Sequence, residues 1–276
     1  MSQVPPESGT ETSQAGSRRR VAKAVEMIPT LVTLGNLFSG FLAIAYLTDS
    51  LHTPNDPERI ELLYRAIVLI FVAMFFDAVD GWVARKLGHS SDFGAQVDSI
   101  CDAISFGAAP ALLFKVMCEA QPNGLGPKRA LVLAVMFLAF AVLRLARFNL
   151  DSDADEESHQ TFEGLPTPAA AAVVASLGLA NLSLEPTTGD SWVRHIMPYV
   201  MPLLAFLMVS RVPYVHAASW LLRRKSFPAL VALLFLIGIV VIAHQVMIPV
   251  LAIGFMAWGP VVWFWRRVRG RQEPII

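Results

Sequence analysis

The chain has 276 residues, 55% of them hydrophobic and only 16% charged, with 22 basic side chains balancing 22 acidic ones, and its mean hydropathy is +0.53. Soluble domains carry about 25% charged residues, so this composition excludes an ordinary soluble domain and points to an integral membrane protein. Two cysteines, Cys101 and Cys118, exclude a disulfide framework and a metal site built on paired thiols; Cys101 reads as a small apolar packing residue.

Residues 1–20 are polar and poor in large apolar side chains, and are expected to form a disordered tail. The "SRRRVAK" stretch resembles the basic region of a signal peptide. The apolar run after it is too long, however, and has no small-x-small cleavage site, so it is read as the first span. A helix needs about 20 mostly apolar residues to cross the hydrocarbon. Candidate spans cover 28–48, 62–84, 96–117, 129–148, 166–184, 195–217, 227–245 and 247–265. The expectation is therefore an all-α polytopic membrane protein with about eight transmembrane helices, in one domain over 21–268. The last two spans are separated only by the stretch around His244 and Pro249. The runs are continuous and rich in Leu and Ala, without the period of two that strands require. A basic tail, 269–276, either sets topology or also touches anionic headgroups.

Lys and Arg set the orientation. With the N-terminus cytoplasmic, only Arg59, Arg65, Lys115, Lys128, Arg129 and Arg194 fall outside, and every other basic residue falls inside. Both termini are then cytoplasmic, and so is the end of the molecule that carries an unusual acidic stretch, "FFDAVDGWVARKLGHSSDFGAQVDSICDAISFG".

Asp77 and Asp80 close the second apolar run, and Asp98 and Asp102 open the third. At about 100° per residue, Asp77, Asp80, Gly81 and Ala84 share one stripe of a helix, with Arg85 at its edge. Gly94, Asp98 and Asp102 stack at intervals of four on the next. Antiparallel helices could bring all four carboxylates into one pocket, where the glycines remove bulk and admit a ligand to the backbone. Four converging charges at a membrane edge must be protonated, paired or bound to cations. One such acid alone is usually a solvated cap, but four with glycines between them read as a site. Oxygen-only ligands suit Mg²⁺ or Mn²⁺, and four carboxylates suit two metals acting on phosphoryl oxygens.

The pattern D-x2-D-G-x2-A-R-x8-G-x3-D-x3-D runs from Asp77 to Asp102 with every fixed position filled. It resembles the signature of the CDP-alcohol phosphatidyltransferase family, whose members pass a phosphatidyl group from a CDP-linked lipid to a small alcohol and release CMP. The resemblance implies that fold and a transmembrane catalytic domain. It also implies two Mg²⁺ or Mn²⁺ ions held by Asp77, Asp80, Asp98 and Asp102, with Asp102 as general base. Gly81, Ala84, Arg85, Ser91 and Gly94 would border the CDP group. The segment "IPTLVTLGN" is similar to one that holds the nucleotide in relatives, which adds Pro29, Thr30, Thr33 and Asn36; Thr and Asn at a helix start also serve as caps. A homodimer and a site in the cell (inner) membrane are implied as well.

The signature is silent on the acceptor. "IPTLVTLGNLFSGFLAI", "DAISFGAAPALL", "RLARFN" and "FEGLPTPAAAA" together are similar to the phosphatidylserine synthase branch of the family, membrane-embedded type, which implies CDP-diacylglycerol and L-serine as substrates. Arg144 and Arg147, with Asn149 after them, either orient serine's carboxylate or snorkel to the headgroups. Arg211 is a further candidate contact. Glycerol phosphate, inositol phosphate or choline as acceptor is the nearest alternative, although phosphorylated acceptors call for a denser basic pocket. An ion-coupled transporter would place its acids near the midplane of repeated halves, whereas these acids cluster at one face.

Overall fold

The computed structural model describes residues 9–87, 92–119, 125–154, 162–184, 192–214 and 244–269. Helix α1 spans Gly9–His52 and α2 spans Asp56–Leu87. The next crossing has three parts, α3 (Asp92–Asp102), a π-helical segment (Ala103–Ala108) and α4 (Ala109–Glu119). Then follow α5 (Pro127–Ala154), strand β1 (Phe162–Glu163), α6 (Thr167–Leu184), α7 (Trp192–Val209), strand β2 (Pro213–Tyr214) and α8 (His244–Arg269). A helix satisfies its own backbone in lipid, which is why continuous apolar runs take this form.

Five described helices are long and apolar enough to cross a membrane: Leu31–His52, Asp56–Val83, Phe93–Cys118, Pro127–Leu150 and Met247–Trp265. Thr167–Ser183 and His195–Val209 are shorter apolar helices. The protein is thus an all-α, multi-pass membrane protein; the two strands among the described residues are a two-residue pair with Phe162 opposite Tyr214 and Glu163 opposite Pro213. The expected span 227–245 lies outside the described residues except for its last two positions, and the tail beyond Arg269 lies outside them too.

Three boundaries differ from the sequence reading. The backbone is helical from Gly9, inside the stretch expected to be a disordered tail; no proline follows Pro6 until Pro29, so nothing there blocks helical hydrogen bonding. The sixth span, expected to reach 217, ends at Val209. Pro213 disfavours helix at the residue before it, and Ser210 turns the chain by donating from Oγ to the Leu207 carbonyl at 2.8 Å. Pro249, expected between two spans, instead lies inside α8, near the helix start, where few backbone bonds are lost.

The α3–α4 crossing is the central post. Two-thirds of its span (67%) is buried, against 28–33% for the spans of α1, α2 and α5. Phe106, Phe114 and Leu113 on it are fully buried with Leu47, Ile67, Phe137, Leu177 and Met201 from the surrounding helices. Large apolar side chains such as Phe38, Phe75, Val132 and Phe206 remain exposed, as lipid-facing surfaces require. Helix α1 packs along α2 and also against α3, the π segment and α4, while α2 and α3 touch each other little.

Candidate active site

Helix α2 has 32 residues, about 48 Å at 1.5 Å per residue. It outreaches the roughly 30 Å hydrocarbon core and so carries Asp77 and Asp80 toward one edge. The chain returns at Asp92, and α3 brings Asp98 and Asp102 back to the same level. Oxygens of Asp77, Asp98 and Asp102 all lie within 4.8 Å of one another. Asp80 stands beside Asp98, and its carboxylate meets the Thr33 side chain and the Gly81 backbone. The expected convergence is therefore present, with three acids in one knot and the fourth at its side.

Helix α1 organises this convergence. Asn36, fully buried, donates from Nδ2 to Asp102 Oδ1 at 3.0 Å. Three residues earlier on the same helix, Thr33 reaches Asp80. Helix α1 thus braces both acidic pairs, through Thr33 on the α2 side and Asn36 on the α3 side.

The π segment begins immediately after Asp102. Its wider turn shifts the side chains that follow out of α-helical register. Ser105, fully buried, donates to the Asn36 carbonyl at 3.0 Å. Gly40 lets the two helices approach so closely that a Cβ there would lie 2.1 Å from Ser105 Oγ and 2.7 Å from Ser105 Cα. Neither Ser105 nor Gly40 was singled out in the sequence. The small residues of "FSG" and "AISFG" were the available signal.

The donor set fits a hard divalent cation. Asp80 Oδ2, Asp98 Oδ1 and Asn36 Oδ1 are buried oxygens without a hydrogen-bond partner among the described residues. Orphaned acceptors of this kind are costly unless something positive meets them, and oxygen-only ligands favour Mg²⁺ or Mn²⁺ over zinc.

The cationic side of the site comes from α5. Arg144 lies within electrostatic reach of Asp102 and Asp77. Its Nη1 donates to Thr167 Oγ1 at 3.1 Å, and its guanidinium lies 5.7 Å from the Phe148 ring centroid. Of the other expected acceptor contacts, Arg147 is half-buried one turn further on, and Arg211 is exposed in the turn after α7. Asn149 donates from Nδ2 to Ser99 Oγ at 2.9 Å, so its amide ties α5 to α3. Gly94 is half-buried on α3. The side chains of Pro29, Thr30, Ala84 and Arg85, and the whole of Ser91, lie outside the described residues.

A cluster of oxygen ligands at one end of a helical membrane domain, faced by an arginine, suits a phosphate-bearing lipid. The family model for CDP-alcohol phosphatidyltransferases matches residues 26–201, which include all four aspartates, Asn36, Arg144 and Thr167. The chain belongs to the CDP-alcohol phosphatidyltransferase family. It is 30% identical over 266 residues to the CDP-diacylglycerol–serine O-phosphatidyltransferase of Mycobacterium bovis, covering 89% of this chain and 86% of that one. The enzyme of that name from Methanocaldococcus jannaschii is 33% identical over 187 residues, 68% of this chain and 73% of the relative. The archaetidylserine synthase of Methanothermobacter thermautotrophicus is 30% identical over 190 residues, covering 68% and 69%. Family members use divalent metals, in keeping with the acidic cluster.

Proposed function

We propose that this transferase moves the phosphatidyl group of CDP-diacylglycerol to L-serine, forming phosphatidylserine and releasing CMP. The observation that carries the reading is the placing of Arg144 within electrostatic reach of Asp102 and Asp77: a cation suited to a carboxylate, in the same site as a candidate base. The relatives add support, since enzymes named for two different lipids, diacylglycerol and archaetidyl, share serine in their names.

On this reading Asp102 is the general base. Asn36 holds its Oδ1 and so fixes the carboxylate plane, and the carboxylate accepts the proton of the serine hydroxyl. The serine oxygen forms a bond to the lipid-bearing phosphorus as the bond from that phosphorus to the CMP oxygen breaks. Asp77, Asp80, Asp98 and Asp102 would hold two divalent ions, Mg²⁺ or Mn²⁺, which when bound neutralise charge on the pyrophosphate. Thr30, Thr33, Asn36, Gly81, Ala84, Arg85, Ser91 and Gly94 border the CDP-lipid. Arg144 takes the serine carboxylate with its planar fork. Arg147 and Arg211 complete that pocket in the same proposal, and Asn149, engaged with Ser99, braces it from α3. The enzyme works as a homodimer in the cell membrane, with both termini and the site on the cytoplasmic side.

The test is CMP release from CDP-diacylglycerol by purified protein with Mn²⁺ or Mg²⁺, each candidate alcohol offered separately. Release that needs both metal and L-serine, with phosphatidylserine as product, is expected. Release with glycerol phosphate, inositol phosphate or choline in place of serine would overturn the acceptor and leave the phosphoryl-transfer chemistry standing. Metal-loaded, folded protein that releases no CMP with any alcohol would overturn the whole reading.

A further inference from the structure

Arginine is long, and a guanidinium that is to receive a substrate carboxylate in one orientation must be held before the substrate arrives. In this protein the holding group is Thr167. It is fully buried, the first residue of α6, and its hydroxyl accepts from Arg144 Nη1 at 3.1 Å. Phe148, one turn along α5 from Arg144, flanks the same guanidinium.

The position of Thr167 is itself imposed from outside α6. Residues 162–165, just before it, are strapped to the end of α7 and the turn beyond. Phe162 and Glu163 pair with Tyr214 and Pro213, Gly164 N donates to the Val212 carbonyl at 2.9 Å, and Leu165 N donates to the Leu207 carbonyl at 3.0 Å. Gly164 has φ +87°, and a Cβ there would lie 2.4 Å from the Met208 carbonyl oxygen; only glycine fits both demands. Two prolines, Pro166 and Pro168, stiffen the entry to the helix.

The chemistry of the holding group matters. An aspartate at this position would fix the guanidinium equally well but would cancel its charge. A hydroxyl fixes one Nη and leaves the positive charge for an incoming anion. We propose that Thr167 is a positioning residue for acceptor recognition: held by the 162–165 strap, it orients Arg144 toward the acceptor's carboxylate while keeping that arginine's charge unspent. The inference rests on the serine reading above and adds a residue that acts through Arg144.

The experiment compares wild type, Thr167→Val, Thr167→Ala and Thr167→Ser as purified full-length proteins in the CMP-release assay, varying L-serine and CDP-diacylglycerol in turn. Losing one hydrogen bond to a charged group is expected to raise the serine KM on the order of tenfold in the Val and Ala variants. The CDP-diacylglycerol KM should stay within about twofold, and Thr167→Ser should restore the serine KM. Thr167→Ala reports on the hydroxyl should the Val variant not fold. Unchanged serine KM in a folded variant, both KM values rising together, or no rescue by serine would overturn the positioning role. Wild type in the same assay separates the two failures. If it uses another alcohol, the acceptor reading falls and takes this inference with it; if it uses serine and the variants behave as wild type, this inference falls alone.

Discussion

The two sides of the site are held in opposite ways. On the acidic side, oxygens of three carboxylates lie within 4.8 Å of one another, and buried oxygens of Asp80, Asp98 and Asn36 have no partner among the described residues. On the basic side, Arg144 already has a neutral partner in Thr167 and a ring beside it. The acidic side keeps open coordination for ions that arrive from solution. On the proposed reading, the basic side is preorganised for the acceptor's carboxylate. If the site takes both metal and a zwitterionic acceptor as proposed, it needs this asymmetry, because an arginine paired directly with one of the acids would disable both.

The sharpest way to break the acidic side is Asp102→Asn, which keeps the Asn36 contact but removes the proposed base. Turnover is expected to fall by about a thousandfold, with CDP-diacylglycerol binding still measurable by calorimetry; near-normal CMP release would remove Asp102 from proton transfer. Arg144→Ala attacks the other side and should raise the serine KM by roughly ten- to a hundredfold, with a much smaller effect on the lipid KM. Equal effects on both substrates would move Arg144 to the phosphate.

Two gentler substitutions test the scaffolding of each side. Gly40→Ala sets a methyl group against Ser105 and should cost about 1–3 kcal/mol, seen as a lowered Tm in detergent with activity lost in parallel; an unchanged Tm would mean that α1 can slide. Ser99→Ala removes the partner of Asn149 and should cost about 1 kcal/mol while leaving serine kinetics near wild type. A raised serine KM without loss of Tm would instead make Asn149 a substrate contact.

The acidic residues were legible because their spacing is local. Intervals of three and four on a helix put side chains on one face whatever the rest of the chain does, and the fixed positions from Asp77 to Asp102 carried the family resemblance. Asn36 was also named, but for the nucleotide; its bond to Asp102 spans 66 positions and has no local signature. The serine candidates were less well separated. Arg144, Arg147 and Asn149 lie within six residues of one another, and the periodicity alone could not say which of them faces the acids and which ties two helices together.

Composition and continuous apolar runs determined the membrane class and the helical architecture, because hydrocarbon leaves the backbone no other partner than itself. The spacing of the aspartates determined that each pair lines one helix face. Only the tertiary structure decided that α1 joins the two pairs and that the π segment turns Ser105 onto α1. It alone decided that the segment before α6, strapped to the end of α7, sets Thr167 against Arg144. Those contacts depend on backbones approaching closely across long sequence separations, at Gly40 and at Gly164, and close approach is a property of packed helices that no single stretch of sequence contains.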